Sequence, residues 1–283
     1  MWNTKRLQGF AARENAPFRR LAHANMCTLL IWKRCHPEFP LIAAAGRDES
    51  LDRPSAPPMT LARHPTIVGG KDLTAGGTWL ALTEGRFIVA VTNRRDAGAH
   101  DDAKRSRGRL VLELARTGSA REAIAAAARI DASAYNPFLL FVADGEEAAT
   151  VAGGDGGLTV RAIGDGAHAL TNWELDAQSP PKAARALVAA RTLDLTAADP
   201  FALAARCRDA LADHGACDPR LALCVHDDGR RWATRSATIV LLGGTPDRSR
   251  LFHAEGQPCT AALVEVGLPL RDGTASAASN ASD

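Results

Sequence analysis

Cys27 is the residue whose position in this sequence most directly suggests chemistry. It follows Met26, and a small residue after an initiator methionine permits removal of that methionine. A free thiol titrates at about pH 8.5 and an α-amine at about pH 7.7–8.0. A cysteine at the start of a chain can therefore pass its thiol proton to its own amine, which unites nucleophile and base in one residue. The alternative is a thiol buried in a strand, which is common for free cysteine.

The bulk composition is that of a globular protein and excludes several functional classes. Of 283 residues, 46% are hydrophobic and 23% are charged, and no apolar run is long enough to span a bilayer. Residues 1–26 carry five basic residues and one acid, 5 − 1 = +4, so the remainder carries 2 − 4 = −2. A nearly neutral body with few aromatic residues does not predict nucleic-acid binding.

Cysteine and histidine spacing predicts no metal site and no required cofactor. The six cysteines form neither a CxxC pair nor a haem-attachment motif. We expect reduced, mostly buried thiols in a cytoplasmic protein. The histidines with conceivable ligand roles have no recognisable ligand spacing; these are His36, His168, His226 and His253.

Three segments differ in composition. Residues 1–26 lack hydrophobic periodicity and the apolar stretch of a secretory signal. We expect them to be a leader that is disordered or removed, or sequence upstream of a true start at Met26. Residues 27–270 are predicted to form a single domain. Residues 271–283 are rich in serine, alanine, glycine and asparagine, and we expect a disordered tail.

Short apolar runs separated by turn residues predict many strands within this domain. Glu84-Gly85 and Asp144-Gly145 lie between such runs and are typical of hairpin turns. The predicted strands are Thr28–Trp32, Leu41–Ala45, Trp79–Leu82, Phe87–Thr92, Leu139–Ala143, Ala148–Ala152, Leu158–Ile163, His168–Thr171, Leu221–Val225, Arg231–Ala233, Ser236–Leu242 and Arg250–His253.

Helices are predicted in two places between these strands. Residues 107–116 form one, and the capping-box spacing of Ser119 and Glu122 opens another. Ser179 with two prolines opens a third, and Asp199-Pro200 opens a fourth. The arrangement predicts an α+β fold, a four-layer αββα sandwich of two mainly antiparallel sheets.

Several short motifs together resemble the NRDE family, the proteins similar to transport and Golgi organisation protein 2. The family's signature tetrapeptide is Asn-Arg-Asp-Glu, and this chain has Gly46 in the first place. The resemblance extends over roughly residues 26–255. Its motifs are Met26-Cys27, Ala44-Ala45-Gly46-Arg47-Asp48-Glu49, Arg53-Pro54, Gly76-Gly77-Thr78-Trp79-Leu80, Val91-Thr92-Asn93, Ser106-Arg107-Gly108, Tyr135-Asn136-Pro137-Phe138, Leu170-Thr171-Asn172 and Thr234-Arg235-Ser236.

This resemblance implies the fold of the N-terminal-nucleophile hydrolases, in which bile-salt hydrolases and penicillin V acylases also begin at a cysteine. Their order of functional residues is similar to the order found here. Carried over by position, it implies a catalytic set of Cys27, Arg47, Asp48, Asn93, Asn172 and Arg235. The aspartate directly follows the arginine in this chain, which differs from the spacing in the acylases.

The resemblance assigns each member of this set a role. Arg47 favours the thiolate, and Asp48 orients the N-terminal ammonium group. Asn172, with Asn93, donates hydrogen bonds to an oxyanion. Arg235 supplies a permanent charge. The alternatives are a surface ion-pair cluster at Arg47-Asp48, turn asparagines, and an arginine paired with an acid at a sheet edge.

Two functions follow from the resemblance, and the sequence leaves both open. The first is a cysteine amidohydrolase that cleaves a small linear amide or N-acyl compound. The second is a non-enzymatic carrier that uses the same cleft, with haem or a lipid or acyl-CoA as its ligand. The loops Arg53–Pro65 and Arg94–Arg105 are expected to line the pocket. The basic residues of the second would suit an anionic ligand, but a solvated loop is the favoured interpretation. Substrate identity and oligomeric state are not determined by the sequence.

Overall fold

A computed structural model describes residues 27–95, 101–154, 156–215, 218–227 and 229–269 of the chain. The predicted leader at residues 1–26 and the tail at 271–283 lie outside these ranges. Within the described residues, the fold consists of two antiparallel sheets with helices on their outer faces, which confirms the predicted α+β class.

The first sheet has six strands in the order β10-β1-β2-β11-β12-β13. Its strands are β1 (Thr28–Lys33), β2 (Leu41–Ser50), β10 (Gly166–Leu170), β11 (Trp232–Leu242), β12 (Arg250–Glu255) and β13 (Val264–Val266).

The second sheet has seven strands in the order β3-β4-β5-β6-β7-β8-β9, so that each strand pairs with its neighbours in sequence. Its strands are β3 (Ser55–Arg63), β4 (Thr66–Asp72), β5 (Leu80–Thr83), β6 (Phe87–Asn93), β7 (Phe138–Ala143), β8 (Ala148–Gly154) and β9 (Gly157–Ala162).

Three apolar cores separate four layers. The central core lies between the sheets and includes Leu29 and Ile31 from one sheet and Ile88 and Phe141 from the other. A second core packs α3 (Pro181–Thr192) and α4 (Pro200–Leu211) on the outer face of the first sheet. The third packs α1 (Arg107–Leu114) and α2 (Ala120–Ala127) on the second sheet. Because side chains alternate along a strand, every second residue of the first sheet faces the central core. The residues between them face the core beneath α3 and α4.

The hairpin turn at Glu84-Gly85 and the caps at Ser119 and Asp199 are present, whereas α3 begins at Pro181 without a side-chain cap from Ser179. Glu84 and Gly85 both have positive φ, 49° and 65°, within the three-residue turn that joins Thr83 of β5 to Phe87 of β6. Ser119 Oγ accepts a hydrogen bond from the Glu122 amide at 3.2 Å, which confirms the cap of α2. Asp199 caps α4 in the same way through Ala202, at 2.7 Å.

Two local predictions were wrong, and strands β4 and β13 were not predicted. The segment expected to be the loop Arg53–Pro65 contains strand β3, an edge strand in which Pro57 and Pro58 are tolerated because one side needs no ladder hydrogen bonds. The strand predicted at Leu221–Val225 is not formed. A short 3₁₀ turn at Pro219–Leu221 is followed by an irregular segment. The apolar residues 222–225 of that segment are buried, although they belong to no strand.

Gly77 explains one motif of the family resemblance in steric terms. A Cβ atom at this position would lie 2.3 Å from the carbonyl carbon of Gly108, at the start of α1. The Thr78 amide donates a hydrogen bond to the Gly108 carbonyl oxygen at 3.1 Å. The two glycines therefore allow the segment before β5 to touch α1 directly.

In the described part of the chain, no helix combines the length and the apolar character that a membrane crossing requires.

Candidate functional site at the start of the first strand

Cys27 immediately precedes β1 and lies on the face of that strand that is turned towards the second sheet. It lines a small cavity of about 20 Å³ together with Ala45, Trp79 and Thr92. A space of this size holds about one water molecule. The thiol donates to the Asp48 carbonyl oxygen, with an S···O distance of 3.7 Å.

The register of β1 places Arg47 and Asn172 on either side of Cys27. In the ladder to β2, Thr28 pairs with Gly46, so the next position sets Cys27 opposite Arg47. In the ladder to β10, Leu29 pairs with Leu170, and continuing two positions sets Cys27 opposite Asn172. Directly opposed residues share a face of the sheet. Antiparallel pairing alone thus gathers three of the six predicted residues.

Arg47 is almost fully buried, at 5% exposure. Its guanidinium lies over the Trp79 ring, 4.2 Å from the centroid, and donates to Ser55 Oγ at 3.3 Å. Glu49 Oε2 lies 3.7 Å from the guanidinium. Trp79 supports Arg47 and lines the cavity beside Cys27.

The Cys27 thiol is a weak acid in this environment. Burial raises its pKa to about 11, and the negative charges of Asp48 and Glu49 add to that rise. The hydrogen bond to Asp48 and the charge of Arg47 oppose it. Arg47 thus favours the thiolate, as expected, but burial outweighs it. While residue 26 is attached, the thiol is protonated at neutral pH.

Asp48 points to the opposite face of the sheet. Its carboxylate accepts hydrogen bonds from Lys182 Nζ at 2.5 Å and from Thr234 Oγ1 at 2.6 Å. Lys182 lies in the first turn of α3 and is completely buried. Burial raises the pKa of the Asp48 carboxyl, and Lys182 and Thr234 act against that rise. Both carboxylate oxygens of Asp48 are thus engaged by Lys182 and Thr234. The expected role of Asp48 in orienting the N-terminal ammonium group stays a prediction.

Asn93 and Asn172 meet across the two sheets. Asn172 Nδ2 donates to the Asn93 carbonyl oxygen at 2.5 Å, and Asn172 is fully buried. Beside it, Thr92 Oγ1 donates to the Thr171 carbonyl oxygen at 2.6 Å. Asn172 Oδ1 is buried and has no hydrogen-bond partner within the described structure. A primary amide carries two N–H donors, so Asn172 keeps one beyond its bond to Asn93.

Arg235 lies at a bulge where the pairing of β11 with β2 shifts between Thr234 and Ser236. Its guanidinium donates to the carbonyl oxygens of Ser50 at 2.8 Å and Arg53 at 3.3 Å. It therefore fixes the end of β2, the strand that carries Arg47. These main-chain contacts differ from the side-chain ion pair that was the alternative interpretation.

Two residues near the site were not selected by sequence reasoning. Lys182 gave no signal, because a lysine in the first turn of an amphipathic helix is usually solvated. Arg107 was noted only within a family motif and at the start of a predicted helix. Its pKa is lowered by burial, while its charge interacts favourably with Cys27 and Glu49. It donates to the Pro137 carbonyl oxygen at 3.0 Å.

The raised thiol pKa predicts a distinctive alkylation profile for the chain in which residue 26 is attached. Carboxamidomethylation of Cys27 will increase about tenfold per pH unit from pH 7 to pH 10, because only the thiolate reacts and its fraction rises in that way below the pKa. Unfolding in denaturant will accelerate the reaction about 10²-fold at pH 7.5, because exposure to water removes the burial that raises the thiol pKa. Peptide mapping by mass spectrometry measures both rates. A plateau below pH 9 in the folded protein would contradict the burial argument.

The fold defines a class, the four-layer αββα sandwich of two antiparallel sheets. An N-acylethanolamine-hydrolyzing acid amidase orthologue from Caenorhabditis elegans superposes with a TM-score of 0.53 at 13% identity, covering 77% of this chain and 93% of that one. Penicillin V acylase from Agrobacterium tumefaciens gives 0.54 at 14% identity, covering 85% and 86%. At such identities the likeness establishes the fold.

Within this class, the sequence model of the Transport and Golgi organisation 2 family matches residues 26–249. The chain belongs to that family, as its motifs predicted. No curated protein sequence matches it significantly.

Proposed function

We propose that this protein is an N-terminal-cysteine amidohydrolase that cleaves a small linear amide or N-acyl compound. The observation that carries the proposal is the register of β1, which, continued past its last paired residues, sets Cys27 opposite Arg47 on one side and Asn172 on the other. Two structural neighbours, one an amidase and the other an acylase, support the reaction class.

The proposed reaction starts once Cys27 is the first residue. Its free α-amine takes the thiol proton, and the sulfur attacks the amide carbonyl carbon. The second N–H of Asn172 donates to the oxyanion that forms, and the nearby cations Arg47 and Arg107 favour negative charge in the cleft. The ammonium group returns its proton to the leaving nitrogen, which departs as the amine. Water then hydrolyses the thioester and releases the carboxylic acid.

The remaining members of the predicted set would act as positioning residues. Asp48 contributes its carbonyl oxygen as acceptor for the thiol, while its carboxylate ties β2 to α3 and β11. Asn93 holds Asn172 through its main-chain carbonyl oxygen. Arg235 holds the end of β2.

The test is intact-mass analysis of the chain that begins at Cys27 after exposure to a thiol-selective acylating reagent. We expect one acyl adduct on Cys27, which hydroxylamine removes as expected for a thioester. Cys27→Ala will lose the adduct, whereas the matched control Cys35→Ala, which removes an exposed thiol elsewhere, will retain it. Equal labelling of wild type and Cys27→Ala would falsify the proposal.

The carrier function with haem or a lipid as ligand remains a separate prediction, as does a cytoplasmic location. The cavity of about 20 Å³ beside Cys27 has room for a water molecule, so either an amide substrate or a carried ligand requires the cleft between the sheets to open. A haem titration tests this prediction, and a spectral shift that Cys27→Ala abolishes would support thiolate ligation.

A further inference from the structure

A cluster of two histidines and two cysteines lies outside the proposed active site. His214 follows the end of α4, Cys224 and His226 lie in the irregular segment before β11, and Cys259 follows β12. One ligand atom from each side chain lies within 4.8 Å of the other three. Cys224 is buried, while both histidines reach the surface. Three separate segments thus deliver four ligand atoms to one point.

The distances within the cluster fit the edges of a tetrahedron around zinc. Zn–S bonds of about 2.3 Å and Zn–N bonds of about 2.05 Å at tetrahedral angles give edges of about 3.8 Å for S···S, 3.3 Å for N···N and 3.6 Å for S···N. The structure has 3.6 Å between Cys224 Sγ and Cys259 Sγ and 3.0 Å between the Nε2 atoms of His214 and His226. His226 Nε2 lies 3.3 Å from Cys259 Sγ and 3.8 Å from Cys224 Sγ.

Hydrogen bonding does not account for this convergence. His226 Nε2 has three neighbours, namely His214, Cys224 and Cys259. A ring nitrogen either donates one hydrogen or accepts at one lone pair, so it can satisfy one of them. A single cation at the centre satisfies all four groups at once. We propose that His214, Cys224, His226 and Cys259 form a structural zinc site.

The donor set selects the metal and the type of site. Two thiolates and two imidazoles suit zinc and are poor ligands for calcium or magnesium. Four protein ligands leave no open position, which is typical of a structural site rather than a catalytic one. The adjacent acids are engaged elsewhere: the Asp213 carboxylate pairs with Arg185, and Asp227 accepts from the amides of Gly229 and Arg231. Cys217 lies outside the described residues and is not part of the proposal.

The proposed zinc site lies where an irregular segment contacts strand β11. Val225 lies between two of the ligands, and its amide donates to Thr234 Oγ1 at 2.8 Å. Thr234 returns a bond from its amide to the Val225 carbonyl oxygen at 2.9 Å, and its hydroxyl donates to Asp48. Zinc would therefore fix a segment that pairs with no sheet against the strand that carries Arg235. This inference is independent of the proposed hydrolase activity.

Metal analysis of the full chain tests the proposal. Protein purified under reducing conditions with zinc and then dialysed will retain about one zinc per chain, measured by elemental mass spectrometry. Cys259→Ser and His214→Ala will reduce the retained zinc to background, while Cys35→Ser, which removes an exposed thiol outside the cluster, will leave it unchanged. Background zinc in wild type, or an equal loss in Cys35→Ser, would overturn the proposal.

Cobalt provides a readout that does not depend on the folding of variants. Wild-type protein titrated with Co²⁺ after zinc removal will develop a thiolate-to-cobalt charge-transfer band and tetrahedral d–d bands at one equivalent. Adding zinc will displace the cobalt and abolish the bands. An octahedral spectrum without charge transfer would overturn the site, as would a Cys224–Cys259 disulfide in protein isolated under reducing conditions.

Discussion

A chain whose first residue is Cys27 will form its acyl-enzyme about 10²–10⁴ times faster at pH 7 than a chain that retains Met26. A well-placed general base contributes about that factor. In the retained form the α-nitrogen of Cys27 is an amide and cannot accept a proton, while burial holds the pKa of the thiol at about 11. Removing Met26 supplies an amine within the same residue, at no cost in positioning.

Both chains can be prepared from one fusion protein by proteolytic cleavage directly before Cys27 or directly before Met26. Acylation is followed by intact mass over time with the same reagent. Cys27→Ala in the shorter chain serves as the matched control, because it retains a free N-terminus but has no thiol. If the two wild-type chains acylate at equal rates, the α-amine is not the base and the N-terminal-nucleophile mechanism fails for this protein.

Breaking the buried ion pair of Asp48 and Lys182 will destabilise the fold by about 3–5 kcal/mol for either single variant, Lys182→Met or Asp48→Asn. Each single change leaves a buried charged or polar partner without its counterpart, since Lys182 Nζ lies 2.5 Å from Asp48 Oδ2. The pair joins α3 to β2, and Thr234 extends it to β11. We expect chemical denaturation to show the loss as a lower midpoint with an unchanged slope.

The double variant Asp48→Asn with Lys182→Met separates the pair interaction from general damage. It removes both charges, so it will cost at least about 1 kcal/mol less than the sum of the two singles. As a matched control, Arg206→Met breaks the exposed pair with Asp194 and will cost far less than either buried single variant, because solvent screens that pair. Simple additivity in the double variant would show that Asp48 and Lys182 stabilise the fold separately.

Local signals in the sequence determined much of the secondary structure. Glu84-Gly85 specified a hairpin, and the capping residues Ser119 and Asp199 specified helix starts, because these motifs satisfy backbone groups within a few residues. The errors lay where tertiary context outweighs local pattern. Proline residues in β3 were compatible with an edge strand, and the apolar run at Leu221–Val225 is buried without pairing.

The residue types of the proposed active site were also visible in the sequence, because the family motifs mark Cys27, Arg47 and Asn172 individually. The tertiary structure decided which neighbouring side chains lie on the same face of the sheet as Cys27. Strand alternation turned the Asp48 carboxylate away from Cys27, towards a buried lysine that no local pattern distinguished.

The four proposed zinc ligands show the same limit most clearly. Cys224 and His226 are two positions apart, but Cys259 follows Cys224 by 35 residues and His214 precedes His226 by 12. Such a set has no regular spacing, so the sequence by itself predicted no metal site. Periodicity and capping depend on contacts within a few residues and can be read along the chain. Sites assembled from distant segments depend on long-range packing, and only the folded chain brings them together.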